Sequence, residues 1–328
     1  MANPLACGGH GKHAKNLWFA SAAVFRILPR QPEPQWLQEP QNHMADDFPQ
    51  TDPTILKYYE EAPEEIRLER GPGLLEAART RELLGRFAPR PPAVVIDVGG
   101  AGGSYALWLA AFGFTVHLLD PVKRLVKEAA RRSAVSRAQL ASCQLGDARR
   151  LPFPDGFANM VLLLGPLYHL STKEDRLCAL QEAHRVLAPG GVLFASAISR
   201  WASLLDGLAG DLFLDPDFAQ ALEGDLRDGR HVNATGRPEL FTTAYLHRPD
   251  ELQTEIEEAA FESIGLFGLE GPGWLLADLH ERLADERKRE DLLRVARIVE
   301  SEPAMMAASA HLLAVARRPD EQENSAAA

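Results

Sequence analysis

The sequence predicts an α/β fold, namely a doubly wound and mostly parallel sheet with helices on both faces. The first observation is that short apolar runs alternate with helical segments between residues 93 and 198. Such alternation is typical of parallel sheets, because a crossover segment must carry the chain back between parallel strands. The second observation is that Gly or Asp follows several of the apolar runs, as in folds that bind ligands at the carboxyl ends of their strands.

Each element follows from its local pattern. Two amphipathic helices come first, and Pro89, Pro91 and Pro92 separate them from the first strand, since proline cannot continue a helix. The predicted strands are residues 93–97, 114–119, 139–145, 159–164, 192–197, 263–268 and 311–317. The predicted helices are residues 54–68, 72–88, 104–112, 121–132, 173–187, 249–260 and 275–300.

The chain divides into an arm, one domain and a short tail. Residues 1–50 are rich in Pro, Gln and His without periodicity, which predicts a disordered or flexible arm. Residues 51–318 form the predicted domain, and its ligand-binding core covers residues 93–199. Residues 200–250 contain short helical pieces and no clear strand, so we expect a helical cap insertion over the carboxyl edge of the sheet. The tail, residues 319–328, is polar and predicted to be disordered.

The charge, the cysteine content and the apolar runs of the sequence indicate which kinds of partner the protein can bind. The net charge of −11 disfavours nucleic acid and anionic membranes. The three cysteines lack the spacing of a zinc site or a disulfide framework, so no metal is predicted. No run reaches the ~20 apolar residues of a membrane span. These features predict a cytoplasmic protein that binds neither nucleic acid nor a membrane, and we expect a monomer or a homodimer.

A glycine-rich turn follows the first predicted strand, at residues 97–103. Positions without a Cβ atom let the backbone turn sharply and let a ligand approach the main chain. Asp97 at the strand end would repel a dinucleotide pyrophosphate but attract an ammonium group. The dinucleotide pattern G-x-G-x-x-G also fails, because counting from Gly100 it would require glycine where Tyr105 stands.

Two further acids follow the next two predicted strands. Asp120 lies roughly 20 residues beyond the first glycines, where a carboxylate can accept hydrogen bonds from both ribose hydroxyls. Asp147 could accept from an exocyclic adenine amine, and the amide of Ala148 could donate to a ring nitrogen. Each acid taken alone could equally be a turn or capping residue. The loop after the fourth strand, which starts at Leu164, would face the reacting end of the ligand.

At these residues the chain resembles the class I S-adenosylmethionine (SAM)-dependent methyltransferases, in particular a bacterial small-molecule branch of the type 11 or 25 kind. The matching motifs are Val-Ile-Asp-Val-Gly at 95–99, His-Leu-Leu-Asp at 117–120, Gly-Asp-Ala at 146–148 and Arg-Val-Leu-Ala-Pro-Gly-Gly at 185–191. The resemblance implies a Rossmann-like sheet of seven strands whose last strand is antiparallel, and SAM as the cofactor. The residues expected to bind the cofactor are Asp97, Gly99, Gly100, Ala101, Gly103, Asp120, Asp147, Ala148 and Leu164. Two positions depart from the family pattern: Ala101 replaces a loop glycine, and Asn159 replaces an acid before the fourth strand.

The implied reaction is in-line transfer of a methyl group to an O, N or C nucleophile of a small molecule. A general base helps when the nucleophile carries a proton, and His169 and Tyr168 are the predicted catalytic residues. Their alternative roles are structural: His169 could only bond the backbone, and Tyr168 could only pack. The predicted substrate-binding residues are Tyr59, Tyr245, His247 and Arg248, each with packing as the alternative.

Three other functions remain open at this stage. A protein or nucleic-acid methyltransferase is disfavoured by the acidic balance and by the lack of a basic surface interleaved with aromatic residues. A non-catalytic SAM-binding or interaction module would keep the glycine turn and Asp120 but lack a productive substrate pocket. A nicotinamide oxidoreductase is disfavoured by the failed dinucleotide pattern.

Overall fold

A computed structural model describes residues 51–320 of the chain. The predictions made for residues 1–50 and for residues 321–328 lie outside the described residues. Five parallel strands occur in the order β3-β2-β1-β4-β5. They are β1 (Val94–Val98), β2 (Thr115–Asp120), β3 (Ser142–Leu145), β4 (Ala158–Leu163) and β5 (Leu187–Ser199).

The rest of the sheet confirms the predicted fold class. Beyond β5 come β9 (His311–Arg317) and then β8 (Glu262–Gly268). β9 is antiparallel to both β5 and β8, so the main sheet has seven strands with an antiparallel last strand. The inner strands β1 and β4 are almost wholly buried, as expected for strands covered by helices on both faces.

The insertion after β5 differs from the prediction of a purely helical cap. It contains two short strands, β6 (Arg230–His231) and β7 (Ala244–His247), which pair with each other in antiparallel fashion. β7 also extends the sheet by pairing with the end of β5. Strands of two and four residues are too short for an alternating pattern to reveal them.

Helices cover the sheet and its carboxyl edge. Those around the parallel strands are α1 (Pro53–Glu61), α2 (Pro72–Phe87), α3 (Ser104–Ala111), α4 (Lys123–Val135), α5 (Pro166–His169) and α6 (Lys173–Val186). The later ones are α7 (Ala202–Ala209), α8 (Pro216–Asp228), α9 (Pro249–Glu258), α10 (Leu279–Ala284), α11 (Glu286–Val299) and α12 (Pro303–Met306). Among residues 51–320, no helix is both long enough and apolar enough to cross a membrane.

Two predicted helices are interrupted in the structure. The helix expected at 54–68 ends at Glu61, and a 3₁₀ helix (Glu64–Glu69) follows after Pro63. The stretch expected at 275–300 is divided between α10 and α11 at Asp285, whose side chain caps α11 by accepting from the Lys288 amide at 2.9 Å.

The first helix, α1, is fixed over the carboxyl edge of the sheet. The Arg124 side chain on α4 donates to the backbone carbonyls of Tyr59 at 2.8 Å and Ala62 at 2.5 Å, which satisfies carbonyls at the open end of α1. At the other end, Thr51 donates to Asp147 at 3.0 Å. The edge where the glycine turn and the acids lie is thus closed by a helix from upstream in the sequence.

Candidate cofactor and acceptor site

A cavity of about 450 Å³ lies at the carboxyl edge of the sheet, under α1. It is walled by the loops that follow β1, β2, β3 and β4, as expected for a doubly wound sheet. Among the residues predicted from the sequence, those that line it are Tyr59, Gly99, Ala101, Asp120, Asp147, Ala148, Tyr168 and His169.

The glycine turn after β1 requires its small residues. Gly99 has φ +69°, and a Cβ atom there would lie 2.9 Å from the Pro166 ring. Ala101 adopts φ +47° although it is not glycine, a conformation that costs roughly 1–2 kcal/mol for an L-residue. Its amide donates to Asp120 Oδ2 at 2.9 Å, so the turn and the second acid hold each other in place.

The other predicted cofactor residues, Asp97, Gly100, Gly103 and Leu164, are not among those that line the cavity. The carboxylate of Asp97 lies beneath Gly100, where an added Cβ atom would come within 2.8 Å of Oδ2. That Oδ2 atom has no hydrogen-bond partner among the described residues. Burial, followed by the neighbouring Asp120, raises the pKa of Asp97 to about 7. Asp97 therefore contributes a buried acid under the turn rather than a direct contact.

Asp120 is one of the acids that line the cavity. Its Oδ1 accepts from the Val122 amide at 2.8 Å, and its Oδ2 accepts from Ala101. Burial raises the pKa of Asp120 to about 7 in spite of these two donors. Each carboxylate oxygen has a second lone pair, so the group can still accept hydrogen bonds from a ligand.

Asp147 lines the cavity but is already engaged. Arg149 donates to it through Nε at 2.9 Å and Nη2 at 2.8 Å, and Thr51 donates to its Oδ2. The bidentate Arg149 pair fixes the orientation of the carboxylate. The neighbouring Ala148 is buried at the cavity wall.

Tyr59, Tyr168 and His169 form an aromatic wall at the other end of the cavity. The Tyr59 hydroxyl lies 2.7 Å from His169 Nε2, and His169 Nδ1 lies 3.3 Å from the carbonyl oxygen of Thr243. The Tyr168 hydroxyl donates to the Leu164 carbonyl at 3.5 Å. Burial lowers the pKa of His169 to about 4, so its ring is neutral near pH 7.

The other predicted substrate residues, Tyr245, His247 and Arg248, are not among those that line this cavity, and their role in substrate binding stays a prediction. The Arg176 guanidinium lies 3.7 Å from the centre of the Tyr245 ring. His247 is fully buried, with Nε2 3.3 Å from a Glu255 carboxylate oxygen. β7 joins the sheet beside α6 and α9, which places Tyr245 and His247 in an internal network with Arg176 and Glu255. Arg248 is exposed, and its guanidinium lies 5.6 Å from the centre of the Trp201 ring.

Several residues of the cavity wall were not anticipated from the sequence. Thr51, Asp52 and Ile55 come from α1 and the residue pair before it, and Glu64 comes from the following 3₁₀ helix. Only Tyr59 of this segment was predicted at the site, because the pattern of a helix some 40 residues upstream of the glycine turn does not tell which other side chains will face a cavity. Arg149 could have been found, because it directly follows the Asp147-Ala148 motif.

One cluster outside the cavity contains metal-ligand types, namely Glu76, Glu270 and His311. Arg67 donates to both oxygens of Glu76, at 2.5 and 3.0 Å, and His311 Nδ1 lies 2.7 Å from Glu270. Both nearby carboxylates raise the pKa of His311 in spite of its burial. Arg67 and His311 supply partners for both acids, which gives this cluster a structural explanation. The predicted absence of a metal stays a prediction.

The chemistry of the cavity suits SAM. Neither Asp97 nor Asp120 has an ion-pair partner among the salt bridges of the described residues, so a cationic ligand can favour the ionised form of either carboxyl. Gly99 leaves the main chain open to close approach. An oxygen acceptor at the end of β2 matches a ribose diol.

Comparison with known proteins agrees with this site. Residues 96–195, which are 100 of the 328 residues, match the family described as Methyltransferase domain. The chain is 33% identical over 123 residues to the ubiquinone/menaquinone biosynthesis C-methyltransferase UbiE of Acidiphilium cryptum, covering 37% of this chain and 48% of that protein. The UbiE of a Neisseria meningitidis serogroup C strain is 29% identical over 115 residues, covering 34% and 46%. The chain thus spans about half the length of the curated relatives it matches.

Solved structures share the fold. A SAM-dependent methyltransferase of Methanosarcina mazei superposes with a TM-score of 0.51 at 15% identity, covering 73% of this chain and 98% of that one. A Haloferax volcanii chain from a complex with the Trm112 methyltransferase activator gives 0.52 at 15% identity, covering 81% and 97%. Residues 96–195 thus match the Methyltransferase domain family, and the chain shares the fold of solved SAM-dependent methyltransferases.

Proposed function

We propose that the protein transfers a methyl group from SAM to a small-molecule acceptor by in-line displacement. The observation that carries the proposal is the cavity in which the glycine turn and Asp120 face an aromatic wall of Tyr59, Tyr168 and His169. One end offers the contacts that a nucleoside needs, and the other end can enclose an acceptor. Bound SAM supplies an electrophilic methyl group on a sulfonium cation.

In this proposal the residues of the chain bind and orient the cofactor. Asp120 accepts the ribose hydroxyls, and the backbone at Gly99 and Ala101 approaches the methionine end. Asp97 adds negative charge beneath the turn, which favours a cationic ligand. Asp147 already accepts two hydrogen bonds on each oxygen, from Arg149 and Thr51. The adenine amine therefore takes the place of the Thr51 hydroxyl, with Ala148 at the same wall. Holding both reactants in one geometry and excluding water supply much of the rate of such a transfer.

The acceptor is a small molecule in this proposal because α1 lies over a cavity of only about 450 Å³. The acidic net charge of −11 disfavours RNA and DNA as acceptors. Carbon is a candidate acceptor atom, since two of the similar proteins are named as C-methyltransferases of quinone biosynthesis.

Calorimetry with SAM and with its demethylated product tests the cofactor, and we expect micromolar binding. Incubation with SAM carrying a radiolabelled methyl group, followed by separation of small molecules, protein and RNA, tests the acceptor. Label in the small-molecule fraction supports the proposal. Label in RNA or protein would reassign the acceptor, and binding without transfer to any fraction would favour a non-catalytic SAM-binding module.

A further inference from the structure

Tyr59 and His169 form a hydrogen-bonded pair within the wall of the cavity. Tyr59 lies on α1 and His169 ends α5, and both line the cavity. The distance of 2.7 Å between the hydroxyl and Nε2 is typical of a strong hydrogen bond. The pair therefore joins the helix that closes the cavity to the loop that follows β4.

The backbone decides which atom of the pair donates. His169 Nδ1 faces the carbonyl oxygen of Thr243 at 3.3 Å, and a carbonyl can only accept. The proton of the neutral ring is therefore on Nδ1, which leaves Nε2 as an acceptor. It follows that the Tyr59 hydroxyl donates to Nε2, and its oxygen keeps the capacity to accept a hydrogen bond from a ligand.

Both groups are neutral near pH 7. Burial lowers the pKa of His169 to about 4, and burial also raises the pKa of Tyr59 well above its usual value. Tyr59 is therefore protonated before the reaction. Its oxygen can take up a second proton only if the hydroxyl proton leaves at the same time.

Aromatic rings fix this geometry and exclude water. The Tyr58, Tyr168 and Phe241 rings surround the pair, with ring-centre distances of 5.1 Å from Tyr58 to Tyr59, 4.6 Å from Tyr168 to His169 and 5.8 Å from Phe241 to His169. Phe241 adopts φ +63°, a conformation that a bulky residue keeps only where the surroundings enforce it. The insertion after β5 therefore holds Phe241, which packs against His169, in a strained backbone conformation.

We propose that Tyr59 and His169 form a proton relay that removes the proton of the methyl acceptor. The proposal rests on the methyltransferase function proposed above. The nucleophilic atom forms a bond to the methyl carbon while the carbon–sulfur bond breaks and its electron pair stays on sulfur. The acceptor proton passes to the Tyr59 oxygen, and the Tyr59 hydroxyl proton passes to His169 Nε2. The resulting imidazolium returns its proton through Tyr59 to water after the product leaves.

The relay narrows the class of substrate. An acceptor that uses it must carry a removable proton, as a phenol, an alcohol or a carbon made nucleophilic by an adjacent hydroxyl does. A thioether or a tertiary amine has no such proton and would not use the pair. Tyr59 is then the catalytic residue that touches the acceptor, and His169 acts through it.

Three variants test the relay. Tyr59→Phe keeps the ring and removes the hydroxyl, and His169→Asn keeps a donor for the Thr243 carbonyl but removes the acceptor Nε2. Tyr58→Phe is the matched control, since it removes a neighbouring hydroxyl outside the pair. The probes are radiolabelled SAM with a panel of phenols, alcohols and hydroxylated carbon acids, alongside their methyl ethers.

We expect kcat to fall about a hundredfold to ten-thousandfold in Tyr59→Phe and His169→Asn, the range for loss of a general base. The KM for SAM and its calorimetric affinity should stay within twofold, and Tyr58→Phe should behave as the unaltered protein. Full kcat in Tyr59→Phe would overturn the relay, as would transfer to none of the proton-bearing acceptors by protein that binds SAM. Failure to bind SAM at all would instead refute the proposed function.

Nitrogen NMR of histidine-labelled protein gives a readout that does not depend on turnover. At pH 7 we expect the His169 ring to be protonated at Nδ1 only, and the Nε2 signal to shift in Tyr59→Phe but not in Tyr58→Phe. A ring protonated at Nε2, or at both nitrogens, would overturn the relay.

Discussion

Nucleoside binding is expected to tighten as the pH rises through 7, because Asp120 must be ionised to accept both ribose hydroxyls. Burial raises the pKa of this carboxyl to about 7. When a ligand binds only the ionised form, its apparent affinity equals its intrinsic affinity multiplied by the fraction of protein in that form. That fraction is about one tenth at pH 6 and about nine tenths at pH 8, given one titrating group near pH 7. The expected gain in affinity is therefore about tenfold, or about 1.4 kcal/mol.

The assay is calorimetry with 5′-methylthioadenosine at pH 6, 7 and 8. This ligand lacks the amino-acid part of SAM, so the titration that it reports belongs to the protein. Binding shifts the carboxyl towards its ionised form and should release protons near pH 7. Two buffers of different ionisation enthalpy measure that release.

Two variants separate Asp120 from its neighbour. Asp120→Asn should weaken binding by more than tenfold, in line with about 1.5–3 kcal/mol for a hydrogen bond to a charged group, and should abolish the pH dependence. Asp97→Asn should keep a pH-dependent affinity, because Asp97 is not among the residues that line the cavity. Affinity that is constant from pH 6 to 8, or that falls, would refute the raised pKa of Asp120, and unchanged affinity in Asp120→Asn would refute its assignment to the ribose.

Two predictions concern the scaffold of the site and are measured by urea unfolding. Gly99→Ala should lower the free energy of unfolding by about 1–2 kcal/mol, because the φ of +69° at this position disfavours any Cβ atom. The same substitution should weaken SAM binding. The control is Gly85→Ala on α2, where an added Cβ atom meets open space, and it should be neutral or stabilising. A Gly99→Ala protein as stable as the unaltered one would contradict the strain assigned to the turn. Glu255→Gln should lower the free energy of unfolding by about 3–5 kcal/mol, because it leaves Arg176 buried without its carboxylate partner. The control is Glu258→Gln in an exposed ion pair, which should leave the urea midpoint unchanged. A small effect of Glu255→Gln would show that the pair does not stabilise the fold.

The sheet and its ligand edge were predictable because the relevant signals are local. Apolar runs of strand length and the residues that end them predict both the strands and the places of Asp97 and Asp120. The prolines before β1 and the glycine turn after it add conformational signals that act within a few residues. The sheet order then brings the ends of β1, β2 and β4 together at one edge.

The acceptor end was only partly predictable because it depends on contacts between distant segments. His169 was expected near the reacting group, but its partner Tyr59 is 110 residues away on α1. Tyr245 and His247 have the residue types of a binding site, yet Arg176 and Glu255 on other helices bury them in an ion-pair network. The positive φ of Phe241 likewise has no sequence signal, since it is imposed by tertiary packing.

A crystal structure of the full chain with SAM tests the central claim most directly. We predict that the adenosyl group occupies the cavity of about 450 Å³ under α1, with the ribose hydroxyls on Asp120 and the methyl group directed towards Tyr59 and Tyr168. A cofactor bound elsewhere on the chain, or a different nucleotide preferred at this edge, would contradict it.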